Sequence, residues 1–253
     1  MRVDALAFDT TPGNVAGSAR AAEERGYDGW FAAETGHDPF IALTLAAEAT
    51  ERIQVGTGIA VAFSRNPMDV AYSANDLQLL SGGRFVLGLG SQIKPHITKR
   101  FSMPWSHPAP RMREMVMAIR AIWDTWENGA KLDFRGDFYT HTLMTPFFTP
   151  EKADLGGHGV PKIFLAGVGE KMTEVAGEVC DGISVVHMPT WGHEKGGEPE
   201  EYGFTVTQID FVRLLARIAG REAQLVHIPR EQIQRAGGAL FAPPFYFGVY
   251  LDI

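Results

Sequence analysis

Polar side chains follow the predicted parallel strands at the points where those strands end. Glu34 and His37 come directly after the second predicted strand, and His96 follows the fourth. In parallel α/β folds, functional groups collect at the carboxyl ends of the strands. A carboxylate and imidazoles at that edge are candidates for proton transfer, because histidine titrates near neutral pH. The alternatives are a solvated or helix-capping Glu34–His37 pair and an ordinary loop histidine at His96.

A small-residue turn between a predicted strand and a predicted helix is the second candidate for chemistry. Gly167, Val168 and Gly169 separate the strand Lys162–Ala166 from the helix Glu170–Val179. Such a turn exposes backbone N–H groups at a helix N-terminus, where they can bind a phosphate group. The pattern favours a phosphate site, with a plain tight turn as the alternative.

Several classes of function lack their signatures in this sequence. It contains no nucleophile elbow, no P-loop and no metal-binding His-Glu-x-x-His. Gly88-Leu89-Gly90 is followed by Ser91, so this string does not complete a dinucleotide-binding fingerprint. A single cysteine, Cys180, excludes a disulfide framework or a cysteine-based zinc site within one chain. We expect Cys180 to be a small buried residue near a helix end.

Composition and charge narrow the class further. The chain has 253 residues, of which 45% are hydrophobic and 21% charged, as in an ordinary globular protein. A net charge of -7 argues against a nucleic-acid partner, which would require a basic surface. The N-terminal residues lack a secretory signal pattern, and no apolar run approaches the ~20 residues of a membrane span. We therefore expect a cytoplasmic protein that acts on a small molecule.

Strands and helices alternate over the first 186 residues and must position these candidates. The pattern predicts strands at Val3–Phe8, Trp30–Ala33, Ile53–Val61, Arg84–Leu89, Lys162–Ala166 and Gly182–Val186. It predicts helices from the N-cap Asn14 to Gly26 and at Phe40–Arg52, Met68–Leu80, Arg111–Asn128 and Glu170–Val179. This alternation indicates parallel pairing, in a closed barrel or an open doubly wound sheet. Two long stretches that contain aromatic residues interrupt this alternation, at Ser91–Pro110 and Asn128–Gly159. We expect both to be ordered and to lie beside a pocket.

Short strings along the chain resemble one known family. They are Glu34-Thr35-Gly36-His37-Asp38-Pro39-Phe40, Gly56-Thr57-Gly58-Ile59-Ala60-Val61-Ala62, Arg65-Asn66-Pro67, Leu80-Ser81-Gly82-Gly83-Arg84-Phe85, Leu87-Gly88-Leu89-Gly90, and Val175-Ala176-Gly177 with Asp181-Gly182. In this order they resemble the luciferase-like monooxygenase superfamily. Within it, the branch they resemble is that of the oxidoreductases that use the deazaflavin coenzyme F420. The resemblance covers about residues 1–187.

This resemblance implies a fold, a cofactor and a reaction. The fold would be α/β, a TIM-type (β/α) barrel with the cofactor at its C-terminal mouth. The reaction would be hydride transfer between F420, or alternatively FMN, and a small organic substrate, followed in some members by oxygen activation. A bulge at the end of strand three would back the cofactor ring, through Thr57, Gly58 and Ile59. The phosphate of the cofactor would lie on Gly167–Gly169.

The resemblance also implies catalytic roles. Family members offer an acidic residue or a histidine at the end of strand two, where this chain has Glu34 and His37. Many deazaflavin dehydrogenases have a glutamate after strand four, where this chain has Gln92. We therefore expect Gln92 to contact the cofactor, and His96 or His37 to take the proton role.

Three aromatic residues are the candidates for the substrate side of the pocket. Phe63, Trp105 and Tyr139 would provide the apolar walls that ligand pockets usually have. The alternative for these three residues is ordinary packing.

The resemblance ends after Val186. We predict a barrel portion at 1–187, a polar linker at 188–203 and an atypical C-terminal segment at 204–253. An incomplete barrel would expose strand edges, which favours a homodimer. One alternative to an active enzyme is therefore a truncated, inactive barrel that serves as a binding or oligomerisation module. Another is a nucleotide-sugar-type enzyme, favoured only by a faint resemblance of the tail to NAD-dependent epimerases.

Overall fold

The computed structural model describes residues 4–150, 157–167, 169–186 and 248–252. The chain divides into two compact units, one of residues 1–184 with 250–253 and the other of residues 185–249. The second unit lies almost entirely outside the described residues. The predicted linker at 188–203 and most of the predicted segment at 204–253 lie outside them as well, so both remain predictions.

Strands and helices alternate along the described chain as the sequence predicts. The strands are β1 (Asp4–Ala7), β2 (Gly29–Ala33), β3 (Gln54–Val61), β4 (Phe85–Gly90), β5 (Phe134–Arg135), β6 (Thr140–His141), β7 (Lys162–Ala166), β8 (Gly182–Val186) and β9 (Gly248–Asp252). The helices are α1 (Pro12–Glu24), α2 (Pro39–Ala49), α3 (Pro67–Leu80), α4 (Pro108–Asn128) and α5 (Glu170–Val179). None of the helices in the described part of the chain combines the length and hydrophobicity that a bilayer-spanning segment requires.

The order of the strands distinguishes a barrel from a doubly wound sheet. The main sheet runs β1-β2-β3-β4-β7-β8-β9, and the pairings from β1 to β8 are all parallel. Each of these strands lies beside the one before it, whereas a doubly wound sheet reverses its order at a switch point. The fold is therefore the predicted (β/α) TIM-type barrel, present here as a partial barrel. The two-residue strands β5 and β6 form a separate antiparallel hairpin.

Proline sets the start of four of the five helices. Pro12, Pro39, Pro67 and Pro108 each occupy the first helical position, where a missing N–H costs nothing. The prediction that Asn14 caps α1 was wrong. Pro12 starts that helix two residues earlier, and the Asn14 side chain donates instead to the Asp9 carboxylate, at 2.8 Å.

One face of the sheet packs on helices, and the other encloses an apolar cluster. Trp30 lies on the helical side, where its indole N–H donates to Ser18 of α1 at 3.2 Å. The neighbouring residue Phe31 points the opposite way, because successive side chains of a strand alternate between faces. It packs in the barrel interior with side chains from three other strands, namely Leu6, Val86 and Phe164.

Strand β3 carries a bulge near its C-terminal end. Ala32 of β2 pairs with Thr57, but the next residue, Ala33, pairs with Ile59, so Gly58 is the extra residue. The pairing with β4 shifts over the same stretch. The Thr57 hydroxyl donates to the Gly88 carbonyl at 2.6 Å and accepts from the Gly88 N–H at 2.7 Å. One buried side chain therefore satisfies both backbone groups of Gly88 that the bulge leaves out of the ladder.

Glycine is required on the β4 side of the bulge. A Cβ added to Gly88 would lie 1.9 Å from the Thr57 carbonyl oxygen, and one added to Gly90 would lie 2.1 Å from the Ile59 side chain. Both distances are far below a van der Waals contact, so any larger residue would displace the bulge. Gly88 and Gly90 therefore contribute no side chain to the face of β4 that meets the bulged strand.

We predict that Thr57→Val destabilises the fold by about 2–4 kcal/mol, because the Gly88 N–H and C=O would both be buried without a partner. Thr57→Ser is the matched control. It keeps the hydroxyl and should cost about 1 kcal/mol for the lost methyl group. Denaturant unfolding followed by circular dichroism measures both free energies. Equal stability of the two variants would show that the hydroxyl does not support the bulge.

Candidate active site

Glu34 lies at the C-terminal mouth of the barrel and ties the end of β2 to the bulged end of β3. Its backbone N–H donates to the Ile59 carbonyl at 3.3 Å. Its Oε2 atom accepts from the Val61 N–H at 2.7 Å and from Arg65 Nη1, also at 2.7 Å. The side chain is only 7% exposed. Its other carboxylate oxygen, Oε1, accepts no hydrogen bond from any described residue.

Arg65 pairs with two carboxylates, and sequence reasoning did not select it. Its Nη1 binds Glu34, and its Nη2 binds the Asp38 carboxylate at 2.9 Å. Its guanidinium also lies over the Phe40 ring, 5.4 Å from the centroid. The string Arg65-Asn66-Pro67 was visible in the sequence, but a bridge to side chains 27 and 31 residues earlier was not.

His37 lies in the loop after β2, exposed and apart from Glu34. Its Nε2 is 3.5 Å from the Thr11 hydroxyl, which places the β2 loop beside the loop that follows β1. The Asp9 carboxylate accepts from the Thr11 N–H at 3.0 Å and lies close enough to interact electrostatically with His37. Hydrogen bonds from Thr11 and Asn14 hold the pKa of the Asp9 carboxyl below its ordinary value. A negative charge at Asp9 therefore faces the imidazole at neutral pH.

The loop after β4 carries the two other predicted polar contacts. Gln92 is half-buried and has a left-handed backbone, with φ of 58°, which is unusual for a residue other than glycine. His96 is exposed at the first turn of a short π-helix, His96–Arg100. Within the described residues, no hydrogen bond joins His96 to Glu34 or His37. The structure thus places the predicted catalytic residues on neighbouring loops of one mouth without linking them to each other.

The residues predicted to back the cofactor ring form the bulge itself. Thr57 is 1% exposed, and its hydroxyl makes both of its hydrogen bonds to Gly88, so it shapes the bulge. A contact between Thr57 and a cofactor stays a prediction. Gly58 approaches Leu6 so closely that a Cβ would lie 2.7 Å from its Cδ1 atom. Ile59 is half-buried beside Gly90, so it remains a predicted contact for a ligand at the mouth.

One amide of the predicted phosphate cradle is engaged within the sheet. The Gly167 N–H donates to the Ser184 carbonyl at 3.2 Å, because the β7–β8 ladder continues past the end of β7. Phosphate binding at this turn stays a prediction. Val168 lies outside the described residues. Gly169 is exposed and is the N-cap of α5, with φ of 83° and no side-chain cap, so the first amides of this helix are what remains of the prediction.

The three predicted substrate-side aromatic residues meet around one arginine. Arg111 of α4 donates to the Tyr139 hydroxyl at 3.1 Å and to the Pro104 carbonyl at 2.7 Å. Its guanidinium lies 4.6 Å from the centroid of the Phe63 ring, and that ring meets Trp105 edge-on at 5.7 Å. Burial raises the pKa of the Tyr139 hydroxyl, and the Arg111 charge opposes that change. Arg111 was not predicted from the sequence.

Burial separates these aromatic residues into two groups. Phe63 is 0% exposed and Tyr139 only 9%, so packing is what the structure shows for both. Contact of these two residues with a substrate stays a prediction, although both already pack on Arg111. Trp105 is half-buried, and its role on the substrate side also stays a prediction.

A second charged residue of α4 holds the β5–β6 hairpin. The Glu114 carboxylate accepts from three consecutive backbone N–H groups, of Asp137, Phe138 and Tyr139, at 2.9, 2.7 and 2.5 Å. A Cβ on Gly136 would lie 2.2 Å from this carboxylate, so only glycine allows the approach. Arg111 and Glu114, one turn apart, therefore dock the hairpin on the helix that leads away from the mouth.

A separate cleft of about 570 Å³ lies at the far end of α4. It is lined by Thr125, Gly129, Ala130, Lys131, Leu132, Thr142, Leu143, Met144, Pro146, Thr149 and Pro150. None of the residues predicted from the sequence to bind or react lies in this lining. The mouth of the barrel therefore remains the candidate active site.

Comparison with known proteins agrees with this fold. The family model for luciferase-like monooxygenases matches residues 3–197, and the chain belongs to this family. An uncharacterized protein of Mycobacterium tuberculosis is 60% identical over 168 residues, which are 66% of this chain and 48% of that protein. The 5,10-methylenetetrahydromethanopterin reductase of Methanolobus tindarius is 30% identical over 216 residues, which are 85% of this chain and 59% of the reductase.

Solved structures show the same fold at low sequence identity. An F420-dependent secondary alcohol dehydrogenase has a TM-score of 0.60 at 20% identity, over 72% of this chain and 57% of that one. The oxygenating constituent of 3,6-diketocamphane monooxygenase of Pseudomonas putida, in complex with FMN, has a TM-score of 0.58 at 17% identity, over 70% and 56%. The chain spans about half the length of the curated relatives that it matches.

We predict that Gly136→Ala releases the β5–β6 hairpin from α4. The new Cβ would displace the Glu114 carboxylate and free the three amides that it binds, so their hydrogen exchange should accelerate at least about tenfold. Gly17→Ala is the matched control, because nothing lies within 4 Å of the Cβ position at Gly17. Unchanged exchange at Asp137, Phe138 and Tyr139 in Gly136→Ala would contradict the clamp.

We predict that the native thiol of Cys180 is unreactive at pH 8. Burial raises the pKa of Cys180 to about 12, and the nearby Arg120 charge only partly opposes this change. Almost no thiolate is therefore present at pH 8. A thiol reagent followed by absorbance should label the cysteine only after the protein is unfolded in guanidinium. Rapid labelling of the folded protein would show that Cys180 is accessible or activated.

Proposed function

We propose that this protein is an oxidoreductase that transfers a hydride between coenzyme F420, or alternatively FMN, and a small organic substrate. Membership of the luciferase-like family supports the class of reaction. The observation that carries the proposal is the Glu34 carboxylate, fixed through Oε2 at the bulged end of β3 with Oε1 left open. In the FMN case the reaction would include oxygen, as in a monooxygenase.

The residues at the mouth fit a flat, anionic cofactor. Gly88 and Gly90 contribute no side chain at the end of β4, where a Cβ would collide with the Thr57 carbonyl or with the Ile59 side chain. Phe8 and Ile93, which follow β1 and β4, leave 41% and 58% of their surfaces exposed, although they are large and apolar. An aromatic ring would cover such surfaces favourably. The N-terminus of α5 at Gly169 would receive the phosphate.

The chemistry would be divided between the cofactor and the chain. The bound deazaflavin or flavin would supply the hydride acceptor or donor, which no side chain of this sequence can provide. Glu34 Oε1 would accept a hydrogen bond or hold a proton at the mouth. His37 would exchange a proton with the substrate, because its exposed imidazole lies in the same loop, held beside Thr11. Trp105 would cover the substrate and exclude water from the mouth.

A binding or oligomerisation module without catalysis is the second candidate. One observation favours it. The Gly167 amide is already used within the sheet, which leaves fewer donors for a phosphate. The predicted cytoplasmic location and homodimer are consistent with either candidate and remain predictions.

The test is a thermal-shift screen with F420, FMN and NADP in parallel. A cofactor at a hundredfold excess over its Kd should stabilise the fold by about 2.7 kcal/mol, which is a rise in Tm of roughly 5–10 °C. We expect this shift with F420 or FMN. A shift with NADP alone would favour the nucleotide-sugar-type alternative, and no shift with any of the three would favour the inactive module.

Riboflavin is the matched control for the phosphate site. It carries the ring of FMN without the phosphate group, so a site at the N-terminus of α5 should bind it more weakly than FMN. If FMN binds, equal affinity for riboflavin in a fluorescence titration would show that α5 does not hold the phosphate.

A further inference from the structure

We propose that Arg65 is a positioning residue, which acts through Glu34 to aim that carboxylate at the bound cofactor. This inference rests on the proposed function, because Glu34 is the group that the proposal places beside the cofactor. Arg65 follows β3, in the string Arg65-Asn66-Pro67, to which the sequence assigned no catalytic or binding role. Its side chain is 17% exposed, so most of the guanidinium is held within the loops of the mouth.

The distribution of donors over the Glu34 carboxylate carries the inference. The Val61 N–H and the Arg65 guanidinium both donate to Oε2, each at 2.7 Å. Two donors on one oxygen leave the other oxygen, Oε1, without a partner among the described residues. A carboxylate held in this way has a fixed orientation, and only one of its oxygens can serve a ligand.

Arg65 is itself fixed by contacts that do not involve Glu34. Its Nη2 binds Asp38 at 2.9 Å, and its Nη1 also donates to the Val61 carbonyl at 3.2 Å. Its position over the Phe40 ring adds a cation–π contact. These partners come from the loop after β2 and from the end of β3, so the guanidinium joins the two elements that carry the candidate site.

The cluster pairs two carboxylates, of Glu34 and Asp38, with the single guanidinium of Arg65, so one guanidinium serves both side chains. A lysine at position 65 would keep the charge, but its single ammonium could not span both carboxylates with the planar geometry of a guanidinium.

The experiment is a double-mutant cycle on cofactor affinity, with Arg65→Met, Glu34→Gln and the combined variant. The probe is F420 or FMN, whichever shifts the wild-type protein, and its Kd is measured by fluorescence titration. Arg65→Met should weaken binding about tenfold, the loss expected for one hydrogen bond to an ionised group. In the Glu34→Gln background the same change should have almost no further effect, because the carboxylate that Arg65 orients is already absent.

Two further variants separate positioning from a general structural role. Arg113→Met breaks an ion pair of equal length, 2.7 Å to Glu178, but both side chains are about half exposed. It should leave the Kd unchanged. Arg65→Lys should restore part of the affinity, and it serves as the test variant if Arg65→Met does not fold. The absorption spectrum of the bound cofactor should also differ between wild type and Arg65→Met, and remain unchanged in Arg113→Met.

Two results would overturn the inference while leaving the proposed function intact. One is an unchanged Kd in both Arg65 variants. The other is additivity, in which Arg65→Met weakens binding equally with and without Glu34. If the wild-type protein binds neither F420 nor FMN, the proposed function fails first and this inference fails with it.

Discussion

The bulge in β3 is the constraint on which the rest of the mouth depends. An extra residue, Gly58, breaks the regular pairing with β2, and the Thr57 hydroxyl replaces the backbone partners that Gly88 would otherwise lose. Because this hydroxyl fills both roles, the bulged backbone is held without any side chain on the neighbouring part of β4. The proposed cofactor ring would lie against this part of the mouth, beside the Ile59 side chain.

The bulge also determines where charge lies. It brings the Val61 N–H to face Glu34 from β2, and the chain then turns so that Arg65 reaches the same carboxylate oxygen. The buried carboxylate is stabilised by hydrogen bonds and by a cation, as a buried charge must be. Farther from the mouth, Arg111 and Glu114 fix the β5–β6 hairpin through side-chain hydrogen bonds. In both places one charged side chain connects segments that are distant in sequence.

The sequence was sufficient for the architecture and for part of the site. Strand-helix alternation predicted the elements, and the family strings predicted the barrel, because both depend on local patterns. Side-chain partners across the fold were not predictable from such patterns. The Thr57 hydroxyl meets Gly88 31 residues away, Arg65 reaches Glu34 over the same separation, and the Gly167 amide is taken by Ser184. Phe63 and Tyr139 are residue types that often line pockets, yet both pack on Arg111. That packing depends on tertiary contacts, which a local pattern does not predict.

The most direct test of this account is to map where the cofactor binds. Amide chemical shifts of 15N-labelled protein would be recorded while F420 or FMN is added. The account predicts that the largest changes occur at Ile59 and Gly90 on the ring side and at Gly169 on the phosphate side. Changes confined to the cleft at the end of α4, around Lys131 and Leu132, would contradict it, as would a spectrum that neither cofactor alters.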